Sequence, residues 1–166
     1  MKKTILRASV AVLACMGMAL AQTKMSGVGK CGKPENQQSV EVPDRANHML
    51  AISKVACTWT TPIEINGQKG KGYSVTLSSD MTGTHSRDSG YVVIEMDNGD
   101  KAFVRFQGTG VMKGDTPESG DGNWTFAGGT GKLKGLKGKG TYKSTMTADG
   151  PEDKIEGEYT LASGGK

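Results

Sequence analysis

From His48 onward the chain alternates apolar and polar residues with a period of two, the spacing of a strand with one buried face. Tyr73, Val75 and Leu77 share one face of such a segment. Val92, Ile94 and Met96 alternate with Tyr91, Val93 and Glu95, and Ala102, Val104 and Phe106 alternate with Lys101, Phe103 and Arg105. Asp97-Asn98-Gly99-Asp100 separates these two runs and predicts a hairpin, because Asn and Gly tolerate positive φ. Later strands are predicted at Asn123–Phe126, Thr141–Thr147 and Lys154–Leu161, with a polar loop over Lys113–Asp121. Asn66-Gly67 and Asp149-Gly150-Pro151 read as turns. Leu50 and Ile52 have one parity and Val55, Cys57 and Trp59 the other, which predicts a bulge or break at Ser53-Lys54. Residues 22–47 are polar and read as an extended arm, with a short strand at Ser39–Val42 before Pro43. No segment past residue 21 sustains a helical period. The expectation is an all-β fold: a single antiparallel barrel of about eight strands over residues 48–166, preceded by the N-terminal arm.

Residues 1–21 break the pattern. Lys2, Lys3 and Arg7 precede an apolar run from Ala8 to Leu20, and Ala19-Leu20-Ala21 supplies an A-x-A site before Gln22. These are the three regions of a Sec-type signal peptide, and the apolar run falls short of the ~20 residues of a spanning helix. The protein is therefore expected in the periplasm or the medium of a bacterium. The alternative is a lipoprotein anchored at Cys15 within Val12-Leu13-Ala14-Cys15. Loss of Lys2, Lys3 and Arg7 takes 21 basic residues to 18 against 17 acidic, a net charge near +1. That balance argues against a nucleic-acid partner, which needs a concentrated positive field. Cys15 leaves with the leader, so Cys31 and Cys57 remain as an expected disulfide in an oxidising compartment.

The stretch Gly128 to Gly140 is rich in glycine and lysine and invites a phosphate-loop reading. Gly131-Lys132 matches the centre of a Walker A loop, but Phe126 stands where its first glycine belongs and Leu133 where its hydroxyl belongs. No helix is predicted after it to hold a phosphate. Gly128, Gly129, Gly131, Gly135, Gly138 and Gly140 instead read as devices for bending a barrel corner. Leu133 and Leu136 are expected to plug an apolar edge on one short helical turn, with Lys132, Lys134, Lys137 and Lys139 facing solvent.

Trp124-Thr125-Phe126-Ala127-Gly128-Gly129-Thr130-Gly131-Lys132, with Gly135 and Gly138-Lys139-Gly140-Thr141-Tyr142, resembles the barrel proteins related to allene oxide cyclase and dirigent proteins. Cys57-Thr58-Trp59-Thr60 and Met96-Asp97-Asn98-Gly99-Asp100-Lys101 look like further shared blocks, and the similarity spans Asn47 to Leu161. The chain looks closest to small uncharacterised bacterial exported proteins of that type. The resemblance implies an eight-stranded barrel, lipocalin-like in outline, with a central apolar cavity. It speaks for architecture rather than activity. No set of that group's functional residues is matched here.

The densest polar cluster is His85-Ser86-Arg87-Asp88, with Glu95 nearby. His85, Arg87 and Glu95 are the catalytic candidates, for acid–base work and for holding a carboxylate. The competing reading is a turn with solvated charges beside Ser89-Gly90. His48 reads as a surface or capping residue at a strand start. No cofactor or metal site is predicted. The leading function is binding of an apolar small molecule inside the barrel. The alternatives are a structural or envelope-interaction protein with a filled core, and a cofactor-free isomerase or cyclase.

Overall fold

The computed structural model describes residues 22–114 and 116–161. The expected leader, its cleavage before Gln22 and the alternative at Cys15 lie outside these residues. Among the described residues ten strands form in chain order: β1 Thr23–Cys31, β2 Glu35–Glu41, β3 His48–Thr61, β4 Glu64–Ile65, β5 Gln68–Thr82, β6 His85–Met96, β7 Lys101–Lys113, β8 Thr116–Gly129, β9 Leu136–Thr147 and β10 Gly150–Leu161. Every pairing is antiparallel. From β5 to β10 the strands form a meander of hairpins. β5 also pairs with β3, and β1 lies between β10 and β3, so eight strands close into a barrel without a free edge.

Residues 22–42 are largely extended, as their composition suggests, and 43–47 form a turn, but the barrel begins earlier than residue 48. β1 is one of its staves, with Thr23 opposite Tyr159 and Cys31 opposite Cys57. After a break at Gly32-Lys33-Pro34, β2 continues along the same edge of β3 beyond the rim of β10. The expected loop over 113–121 is also shorter. β8 starts at Thr116, and its polar residues pair with β7 across a bulge at Val111/Met112. β3 itself keeps its register with β5 from His48 to Cys57, and the irregularity near Ser53-Lys54 lies on its other edge, where the register with β2 shifts between Glu35 and Gln38 opposite Lys54 and Ile52. The parity change has another cause. Ala51, Ser53, Val55 and Trp59 line the interior, while Leu50 and Ile52 face outward.

One end of the barrel is sealed. Ile63, Ile65 and Leu133 are 0% exposed, Met96 1% and Leu136 2%. Leu133 sits on a 3-10 turn at Gly131–Leu133, and the four lysines of this stretch face solvent. The corner is tied to the β6–β7 turn, where Lys132 N donates to Asp100 Oδ2 at 3.0 Å and Lys101 N to Thr130 Oγ1 at 2.8 Å. Gly138, Gly140 and Gly157 face inward, where a Cβ would collide with backbone and with Phe126 or Trp124. These glycines thus make room for the Trp124–Phe126 pair, whose centroids are 5.0 Å apart. Asn66 and Gly67 turn β4 into β5 with φ of 53° and 73°, the two positive angles that a tight hairpin demands.

The interior cavity

The opposite end stays open onto a cavity of about 920 Å³. Its deep wall is apolar, with Met25, Ile63, Ile94, Val104, Trp124 and Phe126. Polar groups form a belt above it. Tyr73 Oη donates to Asp153 Oδ2 at 3.1 Å, and Ser86 Oγ donates to Asp88 Oδ2 at 2.9 Å. Ser144 lies close enough to Asp153 to favour its ionised form. Among the described residues Asp88 Oδ1 is buried without a partner.

Glycines on nearby strands create the space for this belt. A Cβ at Gly29 would strike the Tyr73 ring, one at Gly108 or Gly122 would strike Tyr142, and one at Gly110 would press on Ser86 and Asp88. The Cys31–Cys57 disulfide, expected from the cysteine count, forms beside the belt, with Cys31 Sγ 3.4 Å from Asp153 Oδ2. Its sulfurs are bonded to each other, so they offer no thiolate to a metal.

Burial sets the electrostatics. It raises the Asp153 pKa above the usual carboxylate range, against the opposing effects of Ser144 and Tyr73. Burial first, and the Asp153 carboxylate second, raise the Tyr73 phenol far above its normal value, so it stays protonated as a donor. Tyr142 is raised by burial and by the carboxylates of Asp88, Asp153 and Asp121. The belt can hold and orient a polar group on an otherwise apolar guest.

His85, Arg87 and Glu95 do not enter this cavity. All three are exposed on the outer face of β6, and Glu95 lies 3.9 Å from Lys101 Nζ across the hairpin. The inward set on that strand is Ser86, Asp88, Val92 and Ile94. The missed residues Ser86, Asp88, Tyr73, Tyr142 and Asp153 carried a signal. Asp88 shares the parity of Val92, Ile94 and Met96, and Asp153 that of Ile155 and Tyr159. A polar residue on the apolar face of a strand was the clue.

His48 is buried at 5% exposure rather than lying on the surface. Its Nδ1 bonds to Asp44, and its Nε2 lies 2.9 Å from Asp80 Oδ1. The Asp44 hydrogen bond is the main cause of a raised His48 pKa, and burial opposes it. The same bond lowers the pKa of Asp44. This clasp holds the turn before β3 to the far end of β5 at the open rim.

No protein-family model and no curated protein matches the chain. Among solved structures, a crystal structure of a protein of unknown function from the DUF3224 family of Shewanella oneidensis MR-1 is similar in fold. The TM-score is 0.52 at 15% identity, over 87% of this chain and 100% of that one. At this identity the likeness speaks for the barrel alone. It gives no specific support to the allene oxide cyclase and dirigent group.

Proposed function

We propose that this protein is an exported bacterial barrel that binds an apolar or amphipathic small molecule in its open-ended cavity. The observation that carries this reading is the cavity itself, about 920 Å³ walled by aliphatic and aromatic side chains. That size lies in the range of small-molecule sites, about 300–1,000 Å³. A barrel of this strand number either fills its interior with side chains or holds one small ligand, and here glycines at inward positions keep the space open. The disulfide supports export to an oxidising compartment. The resemblance to cavity barrels such as allene oxide cyclase agrees with this reading but names no ligand.

Titration with a neutral fluorescent apolar probe such as N-phenyl-1-naphthylamine, together with native mass spectrometry of protein purified from its own host, tests it. Saturable binding that is lost when the inward Val92 is changed to Trp supports the cavity as the site. Absence of saturable binding by any apolar probe, with a clean protein mass, refutes it.

A second reading has its own observation. Val40, Leu50 and Ile52 are 66%, 42% and 51% exposed on β2 and β3, and Val40 lies opposite Leu50. This apolar strip on the outer wall favours a structural or envelope-interaction role.

A further inference from the structure

We propose that the guest of this cavity carries a protonated amine, held against the belt of Asp88, Asp153, Tyr73 and Tyr142. This rests on the reading of the barrel as a small-molecule binder.

The charges lining the cavity are uneven. They are the carboxylates of Asp88, Glu118, Asp149 and Asp153 against the single ammonium of Lys33. Asp149 at the rim is already paired with Lys30 at 3.1 Å. Asp88 and Asp153, deeper in, form no ion pair among the described residues. Their neighbours do not neutralise them. Tyr73 and Ser86 turn their protons onto these carboxylates. The belt therefore presents acceptors and negative charge to whatever enters.

Three kinds of guest can be compared on this chemistry. A carboxylate guest meets like charge in a low-dielectric site. A neutral apolar guest gives these two groups no counterion, which costs free energy whether Asp153 stays charged or takes up a proton. A protonated amine on an apolar body supplies the counterion and the donors together, while its body covers the deep apolar wall. The aromatic faces of Trp59, Tyr73, Phe106 and Tyr142 line the same space and attract a cation through their ring quadrupoles. A hydrated inorganic cation would leave those walls unused.

The test uses three anthracene probes of one shape: 9-anthracenylmethylammonium, 9-anthracenemethanol and 9-anthracenecarboxylate. Binding to the disulfide-intact protein is read by fluorescence anisotropy. The amine is expected to bind about tenfold or more tighter than the alcohol, the scale of one charge-assisted hydrogen bond, and the carboxylate weakest. Asp153→Asn and Asp88→Asn should each reduce the amine-over-alcohol ratio. Either variant suffices if the other does not fold. Equal binding of amine and alcohol, or preference for the carboxylate, overturns the inference and leaves the small-molecule reading intact. Failure of all three probes, alongside failure of N-phenyl-1-naphthylamine, overturns both.

Discussion

Loss of the Cys31–Cys57 bond offers the most direct measure of what holds the first stave in place. The bond closes a separation of 26 residues. The chain-entropy relation for such a loop gives about 12 cal/mol/K, or about 3.5 kcal/mol at 25 °C. The two cysteines are opposed in the β1–β3 ladder, whose backbone bonds survive reduction. Replacing both by alanine also removes a sulfur from the buried Cys57 site, adding about 1 kcal/mol of lost packing. The double variant should then lose about 4–5 kcal/mol. At about 2–4 °C per kcal/mol, the melting temperature should fall by roughly 10–15 °C. Urea unfolding followed by the fluorescence of Trp59 and Trp124 provides the assay, with oxidised protein, reduced protein and the double variant side by side. Reduced protein keeps both sulfurs and so isolates the cross-link. If reduction changes the unfolding free energy by less than about 1 kcal/mol, loop-closure entropy is the wrong account of this bond.

Two further outcomes follow from the ends of the barrel. Leu133→Ala should cost about 2–5 kcal/mol in chemical denaturation, because a fully buried plug leaves a cavity behind; a loss below about 0.5 kcal/mol would mean the plug does not seal the core. His48 has a raised folded pKa, so its stabilising contribution is complete below its unfolded value of about 6.5 and is lost as pH rises through the folded value. The urea midpoint should therefore fall as pH rises above about 6.5 in the parent and stay flatter in His48→Gln, and parallel profiles would exclude the Asp44–His48–Asp80 clasp as the cause.

Much of the architecture was legible in side-chain alternation. The β6–β7 hairpin has the inward and outward sets read from its sequence, because a half-buried strand must separate them. The Gly128–Gly140 corner could be read because Leu133 and Leu136 are isolated apolar residues among glycine and lysine. β1 was obscured by its composition. Its inward positions include Gly27 and Gly29, small because Ile63 and Tyr73 fill the space above them, so the segment lacks an apolar signature. The same exchange hid the cavity belt. Tyr73, Tyr142 and Ser86 depend on glycines of other strands, and such a fit between distant residues is invisible to local pattern. The charged cluster at His85 and Arg87 drew attention because it is dense, yet strand parity assigns it to solvent.

The position of β1 fixes an order of events in time. β3 to β10 can assemble as successive hairpins, but the seam closes only when Thr23 meets Tyr159, so the first stave must wait for the last. An emerging chain carries two open edges until its C-terminal strand arrives. Cys31 and Cys57 both lie in the early part of the chain and face each other across β1 and β3. Were the two thiols oxidised at that stage, the bond would fasten β1 to β3 before β10 is in place. A reduced chain should then refold more slowly than an oxidised one, and equal refolding rates by stopped-flow fluorescence would remove this role from the bond.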